Sequence, residues 1–154
     1  MKKAIYLVAM LFCATLVSAQ GIDFSGTWKL NSSKSKLGDQ FSMAPNEIIV
    51  VHKANDMSVE KHSSFQGQEF TSTDKFTLDG KECVNAGFMD TEKKSTAVWS
   101  EDKTTLKITS KIPMQGETMT IVEVYKMDDE NMVIEAAASS SYGDMSETMV
   151  YDKQ

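Results

Sequence analysis

Polar and apolar residues alternate along most of the chain after residue 20, and turn-forming residues interrupt the alternation about every ten positions. A period of two is that of a β-strand with one buried face, and regularly spaced short strands are typical of a sandwich or barrel. We see no stretch with a convincing helical period. The pattern predicts strands over 24–31, 46–53, 57–65, 69–79, 82–87, 93–100, 104–112, 117–127, 131–140 and 146–152.

The turns predict which side chains share a face of the sheet, because a hairpin turn fixes the register of its two strands. Turns at Asp102-Lys103, Gln115-Gly116 and Gly143-Asp144, with a loop over 128–131, all select the same side as the interior. A turn at Asp79-Gly80 agrees with them. The predicted interior comprises Trp99, Leu106, Ile108, Ile112, Met119, Ile121, Tyr125, Met127, Met132, Ile134, Met149 and Tyr151.

The first residues have the pattern of a secretory leader of bacterial style. Two lysines precede an apolar run, and Val17-Ser18-Ala19 places small residues where signal peptidase needs them. We expect a signal peptide over 1–19, one domain over 20–154, and a periplasmic or extracellular location. The alternative is a lipoprotein anchored at Cys13, although the preceding Phe12 is large for that motif. No later apolar run is long enough to predict a membrane span.

Charge and composition exclude several classes of function. The net charge of −6 and the pI near 4.9 argue against a nucleic-acid partner, whose phosphates require a basic face. All sixteen basic residues are lysine, so the bidentate guanidinium grip on a carboxylate or phosphate is missing. Beyond the leader Cys83 is the only cysteine, which predicts no internal disulfide. The sequence predicts no particular oligomeric state.

Two segments carry a resemblance to a known superfamily. The stretch FSGTWKLNSSKS, from residue 24, resembles the first strand of the calycins, the lipocalins and fatty-acid-binding proteins, in which Gly-x-Trp lies at the barrel floor. ETMVYDK, from residue 147, is similar to the last strand of the fatty-acid-binding proteins, and FTLDGKE resembles bacterial lipocalin-like exported proteins. The resemblance implies an all-β fold, an antiparallel up-and-down β-barrel of about ten strands, with Trp28 as its floor plug.

The chain also departs from that pattern. Fatty-acid-binding proteins insert a two-helix lid between their first two strands, and the segment 32–45 is too short for such a pair. We therefore expect a barrel without a full helical lid. The resemblance also implies an Arg-x-Tyr pair for a fatty-acid carboxylate, but the matching residues are Met149 and Tyr151. The tyrosine is retained and the arginine is not.

Glu123 is the most informative polar residue of the predicted interior. The registers place it in one row with Ala97, Ile108, Ala136 and Tyr151, where small alanines leave space for a carboxylate and a phenol. A buried glutamate is costly unless it is paired or solvated. It could contact a ligand, bond to Tyr151, or lie outside if the register is wrong. The candidate ligand-binding residues are Trp99, Met119, Glu123, Tyr125, Met149 and Tyr151.

No pattern predicts an enzyme, a metal or a cofactor. A turn at Asn55-Asp56 would place His52 and His62 on opposite faces, so they could not share an ion. Cys83 is interpreted as a buried, inert thiol, and we find no serine in a nucleophile elbow. The nine methionines beyond the leader either fill a core or line an adaptable cavity.

These observations predict an exported, non-catalytic calycin-like protein that binds a small apolar or amphipathic ligand inside its barrel. The alternative is a structural or interaction module of the cell envelope with a filled barrel. A cavity of a few hundred cubic ångströms would favour binding. Because Glu123 faces the interior and no arginine accompanies Tyr151, we expect uncharged or amine-bearing compounds to bind better than free fatty acids.

Overall fold

The computed structural model describes residues 21–154, so the expected signal peptide and its cleavage site lie outside the described residues. A 3-10 turn covers Phe88–Asp90, and the ten predicted strands are all present. They are β1 (Gly26–Leu30), β2 (Glu47–Lys53), β3 (Asp56–Phe65), β4 (Gln68–Thr77), β5 (Cys83–Ala86), β6 (Glu92–Trp99), β7 (Thr105–Met114), β8 (Glu117–Asp128), β9 (Asn131–Ser140) and β10 (Gly143–Lys153).

The strands form one antiparallel sheet in the order β4-β3-β2-β1-β10-β9-β8-β7-β6-β5. Strands that follow each other in sequence pair with each other, except that β4 and β5 share no ladder and β1 pairs with β10. The sheet therefore curls into the nearly closed up-and-down barrel that the sequence predicts. In the described part of the chain no helix is long and apolar enough to cross a membrane.

One side chain bridges the seam between β4 and β5. The amide of Asn85 accepts a hydrogen bond from the main-chain N–H of Lys75 at 2.8 Å and donates one to its carbonyl at 3.0 Å. A pair of such bonds is what a neighbouring strand would have supplied. The carboxamide thus stands in for one rung of the missing ladder.

The predicted registers hold for the central hairpins. Trp99 pairs with Leu106, Ile112 with Met119, and Tyr125 with Ile134. The loop after β8 is a two-residue turn, since Asp128 pairs with Asn131, and this leaves the register as predicted.

Two predicted turns are wrong in position. The last hairpin turns at Ser141 and Tyr142 instead of Gly143-Asp144, so Ala136 faces Glu147 and not Tyr151. Gly143 instead opens β10 at φ 131, in a region that L-residues rarely adopt. The β2–β3 turn likewise falls one residue earlier than predicted. Both corrections shift the partner by an even number of residues, so every side chain keeps its predicted face.

The core lies inside the barrel, where the sequence predicts it. Eight of the twelve predicted interior residues are buried, whereas Trp99, Met119, Ile121 and Met127 are only half-buried.

The antiparallel order gives the barrel two ends. We call the end that contains residues 21–25 the floor, and the end that contains the β1–β2 connection the mouth.

Candidate functional site

The floor of the barrel is sealed by aromatic side chains. Trp28 is 1% exposed, and its indole N–H donates to the carbonyl of Phe24 at 2.9 Å. The ring of Phe24 stacks on Trp99, with centroids 5.9 Å apart, and meets Tyr125 edge-on at the same distance. Gly26, at φ 143, lies beside Lys153, whose aliphatic chain a side chain at this position would crowd. Gly-Thr-Trp therefore closes the barrel, and Trp28 is the predicted floor plug.

The mouth is covered by an extended segment, residues 31–45, which we call the strap. Lys36 pairs with Thr148 of β10 through main-chain hydrogen bonds of 2.7 and 2.9 Å. The buried carboxylate of Glu147 accepts hydrogen bonds from the N–H groups of Gly38 at 2.8 Å and Met43 at 2.9 Å. The strap thus takes the place of a helical lid and is held by a carboxylate that points into the barrel.

Two ion pairs lie inside the barrel below the strap. The Lys61 ammonium is 2.7 Å from the Glu123 carboxylate. Lys61 lies on β3 and Glu123 on β8, and four strands separate them whichever way the barrel is followed. This pair therefore spans the lumen. The second pair joins Lys93 on β6 to Asp74 on β4 at 2.6 Å, across the seam.

Because these four charged side chains are buried, each charge depends on its partner for its stabilisation. The four side chains are only 3–17% exposed. Burial acts to lower the pKa of Lys61, but the carboxylates of Glu123 and Asp74 outweigh it, and the pKa is raised. Lys61 is therefore an ammonium ion at neutral pH. Removal of one partner would leave the other charge buried and unpaired, which destabilises a folded protein.

Two tyrosine hydroxyls complete the polar interior. Burial raises the pKa of Tyr125 and of Tyr151 well above the ordinary range, so both phenols keep their protons. The Tyr151 hydroxyl donates to the carbonyl of Pro45 in the strap at 3.1 Å. The Tyr125 hydroxyl is buried and has no hydrogen-bond partner among the described residues.

A cavity of about 130 Å³ lies between the ion pairs and the strap. Its size is close to that of the roughly 150 Å³ cavity that admits benzene, and below the roughly 300–1,000 Å³ of drug-sized pockets. Both charged and apolar side chains contribute to its lining. The lining residues are Met43, Lys61, Lys93, Ser110, Ile121, Glu123, Ala136 and Met149.

The structure brings together some of the predicted ligand-binding residues and separates others. Glu123 and Met149 line the cavity, and the Tyr151 hydroxyl lies 3.6 Å from the Met149 sulfur. Trp99 belongs to the floor, and Met119 is half-buried opposite Ile112. Tyr125 is buried within the electrostatic reach of Glu123. A role in ligand binding stays a prediction for all six residues.

The inward position of Glu123 agrees with the prediction, but its partner does not. It is bound to Lys61 and shares no row with Tyr151, because the last hairpin turns elsewhere. The expected preference for amine-bearing ligands depended on an unpaired carboxylate. Since Lys61 neutralises that carboxylate, we drop this part of the expectation.

Sequence reasoning missed Lys61, Asp74, Lys93 and Glu147. The signal for each is its parity with buried residues of the same strand: Lys61 lies two positions after Val59, for example. Glu147 likewise has the parity of Met149 and Tyr151, and the corrected last turn places it opposite Ala136. These four charged residues all face the interior.

The other polar candidates lie away from the cavity. His52 contacts Asp23 and Trp99 near the floor, whereas His62 bonds to Glu60 on the outer face. No group of three or more possible metal ligands occurs among residues 21–154. A wider groove of about 480 Å³ follows the seam on the outer surface. Cys83 lines it and is half-buried, not buried as expected.

No protein-family model and no curated protein sequence matches this chain. Solved structures do match it in shape. A secretory abundant heat soluble protein of Ramazzottius varieornatus has a TM-score of 0.64 at 14% identity, over 85% of this chain and 95% of that one. The zebrafish ileal bile acid-binding protein, complexed with cholic acid, has a TM-score of 0.60 at 15% identity, over 85% and 98%.

Fatty-acid-binding protein 1 of Echinococcus granulosus matches with a TM-score of 0.55 at 15% identity, over 84% of this chain and 96% of that one. At such low identities these matches define the fold. It is the ten-stranded antiparallel barrel that the Gly-Thr-Trp strand and the tail led us to expect, here covered at its mouth by a strap.

Proposed function

We propose that this protein is a non-catalytic binding protein that holds a small amphipathic molecule in the barrel, beneath the strap. The observation that carries the proposal is the mixed lining of the cavity. Lys61, Lys93 and Glu123 contribute charged groups to it, while Met149 and Ala136 contribute apolar surface. A few placed polar groups in an otherwise apolar hollow are typical of small-molecule sites.

The buried hydroxyl of Tyr125 supports the same proposal. A buried polar group without a partner costs about 1–3 kcal/mol, so such groups are rare in folded proteins. A ligand or water that accepts this proton would remove the cost. The lumen thus contains a donor for which the described chain supplies no acceptor.

The size of the cavity limits the ligand. By comparison with benzene, about 130 Å³ admits a compact molecule of about six to eight non-hydrogen atoms. Cholic acid and long fatty acids are far larger. They would enter only if the strap and the methionine side chains moved, and methionine is the apolar residue most easily repacked. We therefore propose a compact ligand.

A second candidate function is an interaction module whose barrel is filled. The observation in its favour is that the cavity is smaller than the few hundred cubic ångströms expected of a carrier. Such a module would act through its outer surface, and its lumen would contain water only.

The location is also proposed. The pattern of residues 1–19 supports export, with a mature chain that begins at Gln20. Intact mass of the protein purified from the cells that make it should lack these residues. Retention of the leader, or a lipid on Cys13, would contradict the proposal.

Native mass spectrometry of the same material tests the binding function. We expect a non-covalent mass increment from a small organic molecule, which is lost on denaturation. The variant Ala136→Leu should lack the increment, because it fills the cavity, whereas Ala137→Leu, on the exposed outer face, should retain it. If the parent protein carries no such molecule and also binds no small amphipathic probe, the result would favour the interaction module with a filled barrel.

A further inference from the structure

The charges that line the cavity are balanced. Lys61 is matched by Glu123 and Lys93 by Asp74, with nitrogen–oxygen distances of 2.7 and 2.6 Å. The remaining buried carboxylate, Glu147, is engaged by two N–H groups of the strap. The charged groups that line the cavity therefore present strong donors and acceptors, and together with Asp74 they carry no net charge.

A charged ligand would disturb this balance. A carboxylate could approach Lys61 or Lys93 only by sharing the ammonium with Glu123 or Asp74, which leaves one excess negative charge in a poorly solvated interior. An alkylammonium would leave one excess positive charge for the same reason. An unpaired charge in a buried site is strongly disfavoured, so both ions should bind weakly.

An uncharged head group avoids this cost. An amide carbonyl can accept from the ammonium of Lys61 or Lys93, and its N–H can donate to the carboxylate of Glu123. Neither ion pair has to break. The head would add hydrogen bonds to charged groups, which are stronger than those between neutral groups.

We propose that the two lumenal ion pairs select a compact ligand whose polar head carries no net charge and both donates and accepts hydrogen bonds, such as a primary amide. This rests on the proposed binding function. It departs from a site that holds a fatty-acid carboxylate, since each cation in the cavity already has its own anion.

The test uses three six-carbon probes of nearly equal size: hexanamide, hexanoate and hexylamine. Their affinities for the protein are measured by calorimetry, or by chemical shifts of the Met149 and Met43 methyl groups, at neutral pH. We expect hexanamide to bind at least tenfold more tightly than either ion.

Single variants should change the preference in opposite directions. Glu123→Gln leaves Lys61 without its partner and should make hexanoate the tightest probe. Lys61→Met leaves Glu123 without its partner and should favour hexylamine. The double variant, with both Glu123→Gln and Lys61→Met, removes both charges and should again bind hexanamide most tightly. It tests the proposal even if one single variant folds poorly. Glu135→Gln removes the anion of the exterior Lys126–Glu135 pair and serves as the matched control.

The outcomes separate the two proposals. If the parent binds hexanoate or hexylamine as tightly as hexanamide, or if the single variants do not shift in opposite directions, the selection by charge balance is wrong and binding itself stands. If the parent binds none of the three probes up to their solubility limits, the proposed binding function fails and the selection falls with it.

Discussion

The indole nitrogen of Trp28 lies 2.9 Å from the carbonyl oxygen of Phe24, and this bond ties the segment before β1 across the base of the barrel. Both residues are fully or almost fully buried. Phe24 stacks on Trp99 in turn. The floor is thus one aromatic cluster that depends on Trp28 for both volume and hydrogen bonding.

Replacing Trp28 by alanine should therefore destabilise the protein strongly. Truncation of a buried large aromatic side chain costs about 3–5 kcal/mol, a large share of the roughly 5–15 kcal/mol that stabilises a domain. Trp28→Phe keeps most of the apolar volume and loses only the hydrogen bond, so its cost should be smaller. Denaturant unfolding measures both. A Trp28→Ala variant as stable as the parent would show that the floor does not need this side chain.

Loss of the Asn85 side chain should open the seam between β4 and β5. Asn85→Ala removes both bonds to the main chain of Lys75, and we expect a cost of about 1–3 kcal/mol. Hydrogen exchange should accelerate at the amide of Lys75. The amide of Val59, inside the β2–β3–β4 ladders, is the internal reference and should exchange as before. Equal protection at Lys75 in both proteins would mean that other contacts close the seam.

Glu147 should control how firmly the strap covers the mouth. In Glu147→Gln one of the two acceptor oxygens becomes a donor that faces a main-chain N–H group, so one of the two bonds is lost. We expect faster hydrogen exchange at Gly38 and Met43 and faster ligand entry in stopped-flow experiments. The exposed Glu135→Gln is the control. Unchanged exchange at both amides would contradict the role of Glu147 in holding the strap.

The acid limb of stability should depend on Asp152. A hydrogen bond from Asn31, followed by contacts with Lys34 and Asn131, lowers the pKa of Asp152 from its ordinary value of 3.8. A carboxyl whose folded-state pKa is lowered contributes stability above its ordinary pKa and loses it as the pH falls through the folded-state value. Part of the fall in melting temperature between about pH 5 and pH 2 should therefore disappear in Asp152→Asn.

Direct titration can check the same point. Carboxyl chemical shifts should place the Asp152 midpoint below 3.8, and Asn31→Ala should raise it. A midpoint at or above the ordinary value would overturn the assignment. So would an acid limb in Asp152→Asn that matches the parent.

The sequence predicts the strands and the buried face correctly, because a turn error that shifts the partner by an even number of residues leaves each side chain on the same face. The last turn was placed two residues too late, yet Met149 and Tyr151 remain inside, since the partner shifts by an even number. The same error hides the pairing of Glu147 with Ala136, although the parity of Glu147 with Met149 still places it inside. The face of a residue follows from its parity alone, whereas its cross-strand partner can be predicted only from the true position of the turn. Gly143 is compatible with a positive φ, but the residue type does not show that it begins β10 and lies outside the turn.

The site was harder to predict because its residues meet across the lumen. Lys61 and Glu123 lie on opposite sides of the barrel, and no hairpin register relates them. Their pairing depends on curvature of the whole sheet. Glu123 could be recognised because its predicted row contains two alanines. Lys61 and Lys93 have no such neighbours in the sequence, and a lysine is usually exposed to solvent. The strap is similarly unpredictable, since its hold on the mouth comes from two main-chain N–H groups, which carry no sequence signal.

The pairing of β1 with β10 affects the order of folding events. Every other ladder joins strands that follow one another in the chain, so these can form hairpin by hairpin from local encounters. The β1–β10 ladder instead links Trp28 to Lys153 and Leu30 to Tyr151, near opposite ends of the described chain. A nascent chain that has not yet released its last strand can build the ladders of β1–β4 and of β5–β9, but it cannot join them into one sheet. The joining of these two sets of strands is therefore the step most exposed to truncation, and to chaperones that hold the carboxyl-terminal strand.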